Sequence, residues 1–113
     1  MPMDGLTIGA TVFELNSLLQ GARIDKINQP ENDELHILTR NNGQNYKLLL
    51  CSNANFARLN ITEISKNNPT SPTSFCMLLR KHLTGAKINR FEQILNERIV
   101  IIYLEVNIYE HHG

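Results

Sequence analysis

Tryptophan is absent from this chain, aromatic residues make up 6%, and the formal charges cancel to zero. Cysteine is scarce as well: Cys51 and Cys76 have neither a metal-like spacing nor a partner motif, so both read as reduced, small hydrophobic residues rather than a disulfide or a zinc site. No apolar run approaches the roughly 18 residues that a membrane span requires, and no basic leader precedes an apolar segment. A cytoplasmic protein without membrane contact is therefore expected, in which the sequon Asn60-Ile61-Thr62 carries no glycan. Catalytic templates are missing too. There is no glycine-rich phosphate loop and no serine elbow, and His36 and His82 lack companions at ligand spacing. The expectation is a protein that is not an enzyme and needs no metal and no cofactor. His111-His112-Gly113 reads as a cloning remnant or a loose tail.

What is present is enough for one modest core, since the chain has 113 residues of which 42% are hydrophobic. One domain is the limit, with no internal repeat and no linker. The charge is unevenly spread: residues 1–39 carry a net −4, residues 40–90 a net +7 and the remainder −3. The basic middle consists of Arg40, Lys47, Arg58, Lys66, Arg80, Lys81, Lys87 and Arg90. Gathered by a fold, these groups would face phosphates, each neutralised phosphate releasing a counterion. Scattered, they would be ordinary solvated charges, and overall neutrality is not the usual footprint of a nucleic-acid binder.

Periodicity predicts an α+β, β-rich antiparallel domain of about six strands. Asp4 is placed to cap a first helix whose Ile8, Val12, Leu15 and Leu19 share a stripe, and Gly21 ends it. Strands are expected over residues 23–28, 34–40, 46–51 and 58–62. A turn is expected at Pro30 to Asp33 and a hairpin at Asn41-Asn42-Gly43. The polar loop Ser65 to Thr70 then carries the turn signal Asn67-Asn68-Pro69. The second helix is signed at both ends, with Ser71 as N-cap, Pro72 at the first helical position and Gly85 at the left-handed C-terminal cap. Its stripe reads Phe75, Leu78, Leu79, His82 and Leu83, and Arg80, Lys81 and His82 suit the negative end of the helix dipole. Two further strands, residues 87–95 and 98–105, meet at Asn96-Glu97. The nearly continuous apolar run of the second suggests a central, two-sided strand.

Four stretches carry a resemblance to a known family. They are Met1 to Thr7, the run Gly21-Ala22-Arg23-Ile24-Asp25-Lys26-Ile27-Asn28-Gln29-Pro30, the run Asn45-Tyr46-Lys47-Leu48-Leu49-Leu50, and above all Phe75 to Leu83. Together they resemble the start of the NFACT family, which includes the bacterial RqcH proteins and carries the older name of fibronectin-binding protein A. The resemblance is collinear from Met1 to about Leu104, so residues 1–106 are expected to be part of an NFACT N-terminal domain. Residues 107–113 look unlike the family's continuation and are expected to be a divergent tail or of cloning origin, the whole being a truncated piece.

The resemblance implies a fold similar to the N-terminal domain of formamidopyrimidine-type DNA glycosylases, whose nucleophile is an N-terminal proline beside a glutamate. Pro2 is here, but Met3 stands where the acid would be, which leaves the Schiff-base chemistry without its proton donor. It also implies function without catalysis: binding of an obstructed large ribosomal subunit and recruitment of tRNA, so that a stalled nascent chain receives a C-terminal tail. The family carries an acidic–arginine pair in the turn before the last strand, implicated in engaging tRNA, and Glu97-Arg98 occupies that place with glutamate for the usual aspartate. A guanidinium held by a neighbouring carboxylate presents a planar fork to a phosphate or a base edge. Arg80, Lys81, Lys87 and Arg90 are the candidates for contacts to the RNA backbone. A fibronectin-binding adhesin and a non-catalytic structural fragment remain as alternatives. An exposed sheet edge at the end of the piece is expected to pair two copies into a homodimer.

Overall fold

The computed structural model describes residues 5–52, 58–94 and 99–106, with side chains described from Gly9 onward. Its elements are α1 (Gly5–Leu19), β1 (Arg23–Glu31), β2 (Glu34–Asn41), β3 (Gln44–Cys51), β4 (Arg58–Thr62), α2 (Ser74–Leu83), β5 (Lys87–Gln93) and β6 (Val100–Glu105). All strands pair antiparallel in one sheet of order β4-β3-β2-β1-β5-β6. This is the α+β architecture expected, with the second helix inserted between the fourth and fifth strands. The β2–β3 hairpin turns at Asn42 and Gly43, whose φ angles of 51° and 78° match the twist of the flanking strands.

The core lies between α1 and one face of the sheet. Val12, Leu15 and Leu19 of α1 meet Ala22, Ile24 and Ile27 of the first strand region, together with Ile37, Leu48, Ala86, Ile88 and Phe91. At about 25 cal/mol per Å² of apolar surface removed from water, burial of these side chains is the main driving force of the fold. Polar side chains fix the helix on this apolar bed. Asn16 donates through Nδ2 to the Phe91 carbonyl at 2.9 Å and accepts the Phe91 N–H at 2.7 Å. Asn41 Nδ2 donates to the Leu18 carbonyl at 2.8 Å, satisfying a group that the end of α1 leaves free.

An internal repeat organises the whole, which corrects the expectation of none. The run Leu19-Gln20-Gly21-Ala22-Arg23-Ile24-Asp25-Lys26-Ile27 is matched, 64 positions later, by Leu83-Thr84-Gly85-Ala86-Lys87-Ile88-Asn89-Arg90-Phe91. Each copy ends a helix, passes a glycine at φ near +90° (Gly21 at 89°, Gly85 at 88°) and enters a strand that bulges at the residue directly after the strand isoleucine, Asp25 or Asn89. The hydrogen bonds between the copies are reciprocal. Ile24 N–H reaches the Ala86 carbonyl at 2.8 Å and Ile88 N–H the Ala22 carbonyl at 2.7 Å. Gly21 N–H reaches the Ile88 carbonyl and Gly85 N–H the Ile24 carbonyl, each at 2.7 Å. The helices exchange partners as well: α1 packs on β5 and α2 on β1. Asn16 bonds the Phe91 carbonyl, while Arg80, at the matching position of α2, donates through Nε to the Ile27 carbonyl at 2.7 Å.

Several local expectations change. β1 runs on through Pro30 to Glu31 instead of turning there, because a bulge between Asn28 and Glu31 absorbs the residue that cannot donate to the ladder. The N-cap of α2 is Thr73, whose Oγ1 accepts the Cys76 N–H at 3.0 Å, and not Ser71. The buried residue of α2 is Cys76, with Leu79 and Leu83 partly buried against the core, whereas Phe75, Leu78 and His82 of the expected stripe are exposed. The last strand is at the edge of the sheet and half-buried rather than central, since β5 alone pairs with it among the described residues. Asp4 and Ile8's side chain lie outside what is described, so the expected cap and the first position of the α1 stripe do too.

Candidate nucleic-acid interface

The sheet's outer face, opposite the α1 core, collects charge. Residues facing each other across an antiparallel ladder share a face, and the register aligns Asn45 of β3, Arg40 of β2, Arg23 of β1, Lys87 of β5 and Glu105 of β6 in one row. Three cations thus stand side by side on adjacent strands, a step of roughly 4.8 Å each. All three are exposed, and none makes an ion pair among the described residues. Arg23 donates instead to the Gly85 carbonyl and Arg40 to Asn45 Oδ1, each at 3.3 Å. The bulges after Ile24 and Ile88 put Lys26 and Arg90 on the same face, one repeat position further along. Arg90 lies 4.0 Å over the Tyr103 ring and 3.7 Å from Glu92, and the Tyr103 hydroxyl donates to Glu92 at 3.1 Å.

The candidates named from sequence are dispersed over this scaffold. Lys87 and Arg90 sit on the outer face of β5, and Lys81 is exposed on α2. Arg80 is half-buried and holds the helix to β1, donating through Nη2 to Asn28 Oδ1 at 3.1 Å in addition to its bond with the Ile27 carbonyl. Glu97 and Arg98 lie outside the described residues, in the connection between β5 and β6. Arg23 and Lys26 lie in the net-acidic first third of the chain, outside its basic middle, but the repeat carries them: each copy reads basic, isoleucine, Asp or Asn, basic.

A second polar cluster stands on the outer face beside the strip of chain that crosses from β4 to α2. Lys66 pairs with Glu31 at 2.7 Å and Glu34 at 2.9 Å, and His36 Nε2 donates to Glu34 Oε1 at 2.7 Å. Burial by itself would raise the Glu34 carboxyl, but hydrogen bonds from Lys66 and His36, with their charges, outweigh it and hold the group below its ordinary value. Glu31 first, then Glu34, hold the Lys66 ammonium above its own. Lys47 Nζ donates to the Ile64 carbonyl at 2.9 Å and Thr73 Oγ1 donates to Gln29 Oε1, so three side chains fasten residues 63–73 across the sheet. The strip bends at Thr70 and Ser71, not at the Asn67-Asn68-Pro69 signal. Among the described residues no group of three His, Cys, Asp or Glu is arranged to hold a metal, and no helix is long and apolar enough to cross a membrane.

Comparison with known proteins gives a consistent result. Residues 4–110 match the family model described as NFACT N-terminal and middle domains. The Rqc2 homolog RqcH of Streptococcus pneumoniae (serotype 2, strain D39) is 44% identical over 100 residues, 88% of this chain and 18% of that protein. The Rqc2 homolog RqcH of Bacillus subtilis is 39% identical over 105 residues, 93% of this chain and 18% of that protein. Ribosome quality control complex subunit 2 of Saccharomyces cerevisiae is 28% identical over 89 residues, 79% of this chain and 8% of that protein. The chain thus spans less than a fifth of the length of these relatives. Among solved structures, the N-terminal domain of the fibronectin-binding protein PavA from Streptococcus pneumoniae superposes with a TM-score of 0.87 at 44% identity, covering 89% of this chain and 40% of that one. The N-terminal part of the fibronectin/fibrinogen-binding protein from Streptococcus suis does so with a TM-score of 0.92 at 37% identity, covering 96% and 41%. With a family match across nearly its whole length and relatives at this identity, the chain belongs to the NFACT family.

Proposed function

We propose that this chain is the tRNA-engaging part of a ribosome-associated quality-control factor, one that binds an obstructed large ribosomal subunit and recruits tRNA so that the stalled nascent chain is extended at its C-terminus. In this reading the domain comprises residues 1–106 of a larger NFACT N-terminal unit and works in the cytoplasm. It makes no bonds itself: peptide transfer belongs to the ribosome, and the fold kinship with formamidopyrimidine-type glycosylases is one of architecture without chemistry. The observation that carries the reading is identity of 39–44% to RqcH proteins over 88–93% of the chain.

Glu97 and Arg98 are the proposed nucleotide-reading pair, and their test is Arg98→Ala in a tRNA-binding titration. A bidentate base contact predicts a loss of about 1–3 kcal/mol with little change in salt dependence. Unchanged affinity of the folded variant removes Arg98 from the site, and a wild-type chain that binds neither tRNA nor large subunits refutes the function. The names of the PavA and Streptococcus suis relatives favour fibronectin binding as the second reading. It requires capture of purified fibronectin by the isolated chain at physiological salt. The edge of β6 that has no strand beside it among the described residues is further proposed to pair with a second copy, burying half-exposed Ile101, Ile102 and Tyr103 and pairing their backbone groups. A sedimentation mass of one chain over a wide concentration range overturns that pairing.

A further inference from the structure

The repeat converges on one spot of the outer face, and there it places positive charge against positive charge. Arg23 and Lys87 are equivalent positions of the two copies and are also register partners, so they meet directly across the β1–β5 junction. Lys26 and Arg90 are the next equivalent pair, and Arg40 extends the row onto β2. Like charges directly opposite in a ladder destabilise it, and here the conflict occurs twice in succession, Arg40 on Arg23 and Arg23 on Lys87. Elsewhere on the same face Lys66 pairs with Glu31 and Glu34 at 2.7 and 2.9 Å, and Arg90 lies 3.7 Å from Glu92 in an exposed pair. At the centre, the partners of Arg23 and Arg40 are a carbonyl and an amide oxygen, which orient a guanidinium without cancelling its charge.

We propose that Arg23, Arg40 and Lys87, flanked by Lys26 and Arg90, form an RNA phosphate-backbone contact surface built on the internal repeat. This rests on the tRNA-binding reading and relocates its electrostatic component: the basic end of α2 contributes little, because Arg80 is engaged in holding β1. The occupant is a polyanion presenting phosphates in a line, since the cations themselves form a line about 10 Å long over two strand steps. Two guanidiniums and an ammonium suit phosphate oxygens. The row has no apolar side chain among its own register positions for insertion into a lipid surface; its end positions are Asn45 and Glu105. The contacts carry no base information, so they add affinity to every tRNA alike and leave selection to other residues.

The test uses the 113-residue chain, fluorescence anisotropy with a labelled elongator tRNA and with bulk tRNA, and a series of salt concentrations. The variant Arg23→Gln/Arg40→Gln/Lys87→Gln is expected to lose at least tenfold in affinity for both RNAs. Its log–log salt slope should fall by about two to three units, at 0.7–0.9 per phosphate. Its thermal midpoint should be unchanged or higher, because like-charge crowding is relieved, which separates lost binding from lost folding. The charge-conserving variant Arg23→Lys/Arg40→Lys/Lys87→Arg should keep the slope. If wild type binds tRNA and the Gln variant binds it with the same affinity and slope, the proposed surface is wrong while the tRNA reading stands. If wild type shows no salt-dependent tRNA binding, both fall. Binding of anionic lipid vesicles or an acidic peptide through these residues, without tRNA binding, overturns RNA as the occupant.

Discussion

The two helices occupy equivalent places in the repeat and yet are held differently. Val12, Leu15, Asn16 and Leu19 of α1 correspond to Cys76, Leu79, Arg80 and Leu83 of α2. On α1 the three apolar members are buried, Leu15 and Leu19 almost completely, with 1% and 0% exposed. On α2 only Cys76 is buried, the leucines are half-covered, and Phe75, Met77 and Leu78 face outward. The cause is what lies opposite. α1 contacts β5 and also β2 and β4, so the curl of the sheet surrounds its stripe, whereas α2 meets β1. One pattern, copied, is buried to a depth set by the amount of sheet facing it, and where the apolar surface is thin the polar clamp carries more of the attachment.

The largest effect should come from breaking the deeper helix. Leu15→Ala is expected to cost about 2–5 kcal/mol, the range of a fully buried leucine, and to abolish the cooperative thermal transition of so small a domain or lower it by tens of degrees. Its repeat partner sharpens the contrast. Leu79→Ala should cost only about 1–2 kcal/mol, because the half-covered side chain gives up less apolar area. Equal losses at the two positions in denaturant titrations would show that α2 is buried as deeply as α1.

Between these lies the clamp. Arg80→Ala removes the guanidinium donor from Asn28 Oδ1 and leaves the Ile27 carbonyl only the long, weak contact from the Cys76 thiol at 3.8 Å, and should cost about 1–3 kcal/mol. Hydrogen exchange should then be faster in α2 than in α1, and uniform exchange in the variant would refute a local attachment. The strip leading into α2 adds a pH dependence. Glu34 has a folded value below its ordinary 4.5, so its contribution is fully present above pH 4.5 and is lost as pH falls through the depressed folded value. Comparing Glu34→Gln with wild type from pH 7 to pH 3 should show a stability gap that closes at the acid end, and a constant gap would contradict it. The smallest effect belongs to the outward face: Phe75→Ala should shift stability by no more than about 0.5 kcal/mol.

Much of the fold was readable in order along the chain. The α1 stripe, the Asn42-Gly43 hairpin, the left-handed Gly85 and the alternation of β2 and β3 each depend on neighbours a few residues away, and local chemistry is enough to specify them. The cap of α2 lies two residues beyond the expected Ser71, at Thr73, whose hydroxyl both accepts the Cys76 N–H and reaches Gln29 on β1, a contact that sequence order does not show. The charge of Arg80 is visible in sequence, whereas its bond to the Ile27 carbonyl is not, because that carbonyl lies 53 residues away along the chain. The repeat was present in the letters, but hydrophobic periodicity does not detect it, since Gly-Ala-Arg-Ile and Gly-Ala-Lys-Ile look like two unrelated helix-to-strand junctions.

By itself, then, the sequence determined the family, the α+β class, the element order and the basic character of its middle, because these follow from residue identity and short-range spacing. The tertiary structure alone decided that β6 is an edge, that α1 and α2 exchange strands, and that Arg40, Arg23 and Lys87 stand in one row. Those facts are set by strand register, and register is a property of pairs of segments: it comes into being only when residues 23, 40 and 87, distant along the chain, are brought to adjacent strands by the burial of the core beneath them.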